Sequence, residues 1–121
     1  MKHLINWVEI PATNLDRAIA FYSRVLGIEF YPMALGDIEY ALFPSEDQFN
    51  TGALARGPFY EPSASGPVIY LDGGEDLQEK LDRVEKNGGQ VIMTKTYISK
   101  EAGFVGMFLD TEGNKIGLQH M

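Results

Sequence analysis

An internal repeat is the feature of this 121-residue sequence that most constrains its fold. Each copy has apolar residues at helical spacing followed by a glycine, preceded by one strand-like segment and followed by several more. The two copies lie about 62 positions apart: Leu15, Ile19, Tyr22 and Gly27 in the first match Leu77, Leu81, Val84 and Gly89 in the second. The repeat predicts two copies of one small module, with two half-sheets facing each other across a cleft.

Residue patterns within each copy predict a strand, a helix and three strands. The first strand spans residues 4–10 and ends at Pro11; the helix opens at Thr13, with Asp16 at capping-box spacing, and stops at Gly27. Further strands are predicted at 29–33, 38–43 and 51–56, then at 68–72, 90–98, 104–109 and 115–120, with a second helix at 75–87. The fold class is α+β: one domain over residues 1–121, with βαβββ modules at about 1–57 and 66–121, joined by the Pro- and Gly-rich residues 57–67.

Composition and charge exclude several classes of function. A net charge of −7 argues against nucleic acid, whose phosphates require a basic surface. The absence of cysteine excludes thiol catalysis and thiolate metal sites. No apolar run approaches the ~20 residues that span a bilayer, and the N-terminal residues lack the apolar core of a signal peptide. We therefore expect a cytoplasmic protein that contacts neither membrane nor nucleic acid.

Three motifs in this order resemble those of the vicinal oxygen chelate superfamily, which groups glyoxalases, bleomycin resistance proteins and extradiol dioxygenases. They are the strand-helix opening from Glu9 to Gly27, the second helix from Asp76 to Gly89, and the turn Asp110-Thr111-Glu112-Gly113-Asn114. In the turn, Thr111 stands where the family usually has proline. The resemblance implies an open, cup-shaped mixed sheet made by the paired modules, and a homodimer. It is less informative about activity, because this scaffold hosts many chemistries.

The resemblance also implies where a metal would be held. Metal-dependent members place a His or Glu on the first and last strand of each module, and these positions correspond to Trp7, about Ala55, Ile69 and Gly117. None of these side chains can bind a divalent metal, and a slip of one residue on any strand brings in no His or Glu. We therefore predict neither a metal nor another cofactor, and no catalytic residue.

Other residues are candidates for binding a ligand in the cup. Glu9 shares a strand face with Trp7, so it is either an inward carboxylate that acts as a base or holds a cation, or a rim carboxylate in water. His120 either points into the cup mouth or lies at the surface. Aromatic and thioether side chains either line a pocket or fill the core, and Phe59 and Tyr60 form either a lid or a dimer contact. The predicted ligand-binding set is Trp7, Glu9, Tyr40, Phe43, Ala55, Ile69, Met107, Gly117 and His120.

These observations favour a metal-free member of the superfamily that binds a small organic molecule in its cup. The negative charge of the chain suits a cationic, planar compound. One alternative is a metal-dependent lyase, isomerase or dioxygenase of the same superfamily, against which the four apolar positions count. The other is a non-catalytic protein whose paired sheets serve only assembly.

Overall fold

The computed structural model describes residues 3–46 and 50–121. Within them the order of one strand, one helix and three strands occurs twice, which confirms the predicted α+β fold with βαβββ modules. The elements are β1 (Val8–Pro11), α1 (Leu15–Leu26), β2 (Tyr31–Leu35), β3 (Ile38–Leu42), β4 (Gly52–Arg56), β5 (Ile69–Asp72), α2 (Leu77–Val84) with a 3-10 extension (Glu85–Asn87), β6 (Gln90–Ser99), β7 (Gly103–Leu109) and β8 (Lys115–His120). Neither helix in this part of the chain is both long and apolar enough to cross a membrane.

Each module builds its own four-stranded mixed sheet. The first sheet has the order β1-β4-β3-β2 and the second the order β5-β8-β7-β6. In both sheets the first and last strands of the module pair in parallel, whereas the other pairs are antiparallel. The mixed sheet is thus divided into two separate sheets of identical strand order.

The helices begin at side chains that cap their first turns. Asn14, rather than the expected Thr13, is the N-cap of α1, and its side chain accepts a hydrogen bond from the Arg17 N–H at 3.0 Å. Asp76 caps α2 in the same way. Gly27 ends α1 with a φ of 70°, a left-handed conformation that favours glycine. The caps Asn14 and Asp76 are 62 positions apart, so the two helices begin at the spacing of the sequence repeat.

One apolar core joins the two modules. The buried faces of α1 and α2 pack on one face of each sheet, called here the helix face, and the opposite face is called the open face. Phe21 and Tyr22 of α1 reach Phe108 of β7, with ring centroids 5.7 and 6.3 Å apart. Among the described residues, the modules meet mainly through their helices, and no strand of one sheet packs extensively on a strand of the other. In residues 3–46 and 50–121, no helix covers either open face.

Polar side chains of the β7–β8 turn tie the second module to the start of α1. The Glu112 carboxylate, whose side chain has no exposed area, accepts hydrogen bonds from the backbone N–H groups of Thr13 and Asn14 and from the Arg17 guanidinium. Burial alone would raise the pKa of Glu112, but the hydrogen bonds from Arg17, Asn14 and Thr111 outweigh it and lower the pKa to about 2. Glu112 is therefore ionised in the folded chain at neutral pH.

A second buried link lies beside Glu112. The Tyr22 hydroxyl donates a hydrogen bond to Asp110 at 2.5 Å, and the Asn114 amide donates to the Pro11 carbonyl at 2.7 Å. Burial, followed by the negative charge of Asp110 and this hydrogen bond, raises the pKa of Tyr22 well above its usual value. The turn that supports the family resemblance therefore holds the two modules together.

Candidate functional site

The open face of the first sheet brings together side chains from three strands. Glu9 on β1 is opposite Ala53 on β4, and Ala55 on β4 is opposite Tyr40 on β3. Because side chains alternate along a strand, the residues between them point to the helix face and join the main core. Tyr40, Ala53 and Ala55 instead form a small separate cluster on the open face.

A half-buried carboxylate lies on the edge strand β1 of this face. Glu9 Oε2 accepts a hydrogen bond from the Trp7 indole N–H at 3.2 Å, and Oε1 accepts one from the Tyr60 hydroxyl at 2.7 Å. Hydrogen bonds with Tyr40 and Glu9, together with burial, raise the pKa of Tyr60 well above its usual value. We call Trp7, Glu9, Tyr40 and Tyr60 the Glu9 site.

The four residues of the Glu9 site include one acidic side chain and no basic one. In residues 3–46 and 50–121, no Lys, Arg or His lies within ion-pair distance of the Glu9 carboxylate. Its two hydrogen-bond donors are both neutral. Trp7 is 41% exposed, so one wall of the site is open to solvent.

Tyr60 is the member of the Glu9 site that the sequence did not place there. It comes from the linker after β4, where its N–H donates to the Gly57 carbonyl at 3.1 Å and its ring packs on the cluster around Tyr40. Its neighbour Phe59 is 92% exposed. The sequence did contain one indication of this position, because Phe59 and Tyr60 follow the inner strand β4. A chain that leaves an inner strand has to pass over the strands on either side of it.

The open face of the second sheet contains Met107 and Gly117. The register places Tyr70, Gly117, Met107 and Met93 side by side across β5, β8, β7 and β6. A Cβ atom on Gly117 would lie 2.4 Å from Tyr70 Cδ1. Glycine is therefore required at position 117 for the Tyr70 ring to lie over β8.

Ile69 does not lie with these residues. It points to the helix face, and Tyr70 takes its place on the open face. The constant offset places Ile69 with Trp7, but the β5–α2 connection has four residues whereas the β1–α1 connection has three. The extra residue shifts β5 by one position relative to α2. Side chains of β5 that the constant offset assigns to one face of the sheet therefore lie on the other.

His120 and Phe43 also lie away from the Glu9 site. The His120 ring stacks on Phe104 with centroids 5.0 Å apart, and its Nε2 is 3.9 Å from Asp76 Oδ1 at the start of α2. Phe43 packs edge-on against Phe30 at 6.1 Å, on the helix side where the modules meet. The structure thus brings together Trp7, Glu9, Tyr40 and Ala55 on one sheet, and Met107 and Gly117 on the other.

Two βαβββ modules with the same strand order define a class of paired-module, mixed-sheet proteins, and comparisons with known proteins identify the family. The sequence profile of the Glyoxalase/Bleomycin resistance protein/Dioxygenase superfamily matches residues 4–118. A glyoxylase-like domain-containing protein from Didymella fabae is 31% identical over 120 residues, which cover 91% of this chain and 88% of that protein. The chain belongs to this superfamily.

Solved structures show the same fold. A glyoxalase/bleomycin resistance protein from Albidiferax ferrireducens T118 superposes with a TM-score of 0.71 at 17% identity, covering 98% of this chain and 99% of that one. The V278E variant of glyoxalase I from Zea mays gives a TM-score of 0.69 at 17% identity over 93% of this chain, which spans only 44% of the maize chain. At these identities the similarity establishes the fold alone.

The residues present do not fit the divalent metal that metal-dependent members of the superfamily hold. Trp7, Ala55 and Gly117 have no metal-binding atom on their side chains, Tyr70 supplies only a phenol in place of Ile69, and Glu9 is a single carboxylate. In the described part of the chain, no three His, Asp or Glu side chains lie close enough to share an ion. The chemistry available at the Glu9 site is that of one carboxylate among aromatic rings.

Proposed function

We propose that this protein binds a small aromatic cation at the Glu9 site. The observation that supports this proposal is the half-buried Glu9 carboxylate, which two neutral donors orient and which forms no ion pair with any Lys, Arg or His that the structure describes. A ligand ammonium would form a charge-assisted hydrogen bond with it, worth about 1.5–3 kcal/mol. The rings of Trp7 and Tyr60 beside the carboxylate would pack against the apolar body of such a ligand.

Trp7 provides the assay for this proposal because it is the only tryptophan of the chain. Its fluorescence is recorded during titration with 3-phenylpropylammonium, 3-phenylpropan-1-ol and 3-phenylpropionate, which share one body and differ in head-group charge. We expect the ammonium compound to bind with the lowest Kd of the three. Chelator treatment should leave that Kd unchanged.

The Glu9→Gln variant isolates the charge of the carboxylate. It keeps the size of the side chain, so the Kd of the ammonium compound should rise at least tenfold while that of the alcohol changes little. Glu61→Gln removes an exposed carboxylate beside Tyr60 and is the matched control, which should bind like the natural chain. Equal affinity of Glu9→Gln and the natural chain for the ammonium would refute the proposal.

We also propose that two copies of the chain associate. The chain exposes 7706 Å², against about 6,500 Å² for a monomer of its mass. On β2, the side chains of Tyr31, Met33 and Leu35 are 54%, 44% and 66% exposed and lie on the open face of the first sheet. The exposed area above that of an ordinary monomer is of the same order as the ~800 Å² per partner that a specific interface buries.

Light scattering after size exclusion tests this association. The natural chain should elute as a dimer, whereas Met33→Lys should elute as a monomer because it places a charge in the apolar surface. Glu79→Lys on the exposed side of α2 is the control and should remain dimeric. A natural chain that stays monomeric at 100 μM would exclude the proposed association.

A further inference from the structure

A cavity of about 300 Å³ lies where the two modules meet, on the helix side and away from the Glu9 site. Apolar side chains of the first module form most of its wall, and the β5–α2 region of the second module closes it. The lining residues used below are Leu26, Ile28, Phe30, Asp72, Gly74 and Lys80.

The wall of this cavity is suited to an apolar body. Ile28 and Phe30 lie in the segment after α1, and the Phe30 ring meets Phe43 edge-on, so the wall has a defined aromatic surface. A volume of 300 Å³ corresponds to about ten water molecules at the ~30 Å³ that each occupies in the liquid. The cavity therefore suits a ligand of about ten non-hydrogen atoms.

The charged groups of the cavity lie on the side of the second module. Asp72 Oδ1 accepts a hydrogen bond from the Gly74 N–H at 2.8 Å, which holds this carboxylate in the β5–α2 loop. The Lys80 ammonium lies close to the same loop, since a Cβ atom on Gly74 would be 2.9 Å from Lys80 Nζ. Among the described residues, Lys80 makes no ion pair or side-chain hydrogen bond.

We propose that this intermodular cavity is a binding site for a small aryl or alkyl carboxylate. The apolar body lies against Ile28 and Phe30, and the carboxylate accepts hydrogen bonds from the free ammonium of Lys80. Lys80 is half-buried, so its methylene stem covers apolar surface while its charge stays at the cavity mouth. Asp72 lines the same cavity but is exposed to solvent, so its charge is screened, and the ammonium probe used below distinguishes a ligand held by Asp72 from one held by Lys80. This inference is independent of the function proposed for the Glu9 site.

Amide chemical shifts of the full chain, followed by NMR, test the proposal. We expect 3-phenylpropionate to shift the amides of Leu26, Ile28 and Gly74. The uncharged 3-phenylpropan-1-ol should do so with a Kd about tenfold higher. Stronger binding of 3-phenylpropylammonium at these amides would overturn the assignment of Lys80, because Asp72 would then be the partner. No shift at these amides with 3-phenylpropionate would overturn the site.

A matched pair of variants separates the Lys80 charge from general electrostatics. Lys80→Met should raise the Kd of 3-phenylpropionate about tenfold. Lys86→Met, which removes an exposed ammonium outside the cavity, should leave it unchanged. Equal affinity of both variants would refute the role of Lys80.

A third variant tests the cavity itself. Ile28→Trp fills the space and should abolish the shifts caused by 3-phenylpropionate while the circular dichroism spectrum stays that of the natural chain. Retained binding in a folded Ile28→Trp protein would refute the cavity as the site. The Lys80 and Lys86 variants change no buried apolar side chain, so their comparison decides the proposal if Ile28→Trp does not fold.

Discussion

Glu112→Gln is expected to destabilise the chain strongly at neutral pH, although it only replaces one carboxylate oxygen by an amide nitrogen. The Glu112 carboxylate accepts hydrogen bonds from Thr13, Asn14 and Arg17, and a glutamine amide would point a donor at one of these donors. Its pKa falls from 4.5 to about 2 on folding. At ~1.4 kcal/mol per pKa unit, the charged form stabilises the fold by about 3 kcal/mol.

The pH dependence of this effect has a definite sign. Because the pKa of Glu112 is lower in the folded chain, its stabilisation is complete above the unfolded value of 4.5 and is lost as the pH falls through about 2. The difference in free energy of unfolding between the natural chain and Glu112→Gln should therefore shrink from about 3 kcal/mol at pH 7 to about 1.4 kcal/mol at pH 3.

Urea unfolding followed by circular dichroism at pH 7 and pH 3 measures both differences. Glu101→Gln is the control, because this exposed carboxylate lies outside the Glu112 network, and it should change the free energy of unfolding by less than ~0.5 kcal/mol. A loss below ~1 kcal/mol for Glu112→Gln at pH 7, or a loss that does not shrink at pH 3, would refute the reasoning.

Three further substitutions test the packing of the fold in the same urea assay. Tyr22→Phe should lower the free energy of unfolding by about 1–2 kcal/mol, because it removes the buried hydrogen bond to Asp110. A neutral result would show that this bond contributes nothing net. Gly52→Ala should cost about 3 kcal/mol or more, since the new Cβ would lie 2.0 Å from the Val8 carbonyl oxygen; an unchanged midpoint would contradict the β1–β4 register. Asn14→Ala should cost about 1 kcal/mol through loss of the α1 cap, and a cost near zero would assign the capping to another residue.

Local patterns predicted most of the elements. The period of apolar residues and the glycine after Leu26 define α1, and the same pattern 62 positions later defines α2. The first and last residues of a helix are less well determined by pattern. The predicted cap of α1 at Thr13 was wrong by one residue, and α2 ends three residues earlier than expected, in a 3-10 turn. The candidate site was partly predicted, because Glu9 and Trp7 share a face through strand alternation alone.

The remaining features of the site depend on contacts between residues that are far apart in the sequence. The faces of β5 are set by one extra residue before α2, which a constant offset cannot detect, so Tyr70 rather than Ile69 lies on the open face. Tyr60 reaches Glu9 only because the linker folds back over the sheet. The position of His120 follows from its stacking on Phe104.

The sequence by itself determined two βαβββ modules and the faces of their helices. These properties follow from residue identity and short-range periodicity, which are local. Only the tertiary structure decided that the modules join through their helices and the Glu112 turn, that Glu9 lies beside Trp7 and Tyr60, and that a cavity lined by Lys80 lies between the modules. Each depends on contacts between residues about 50 to 100 positions apart in the sequence, which are set by the packing of the whole core.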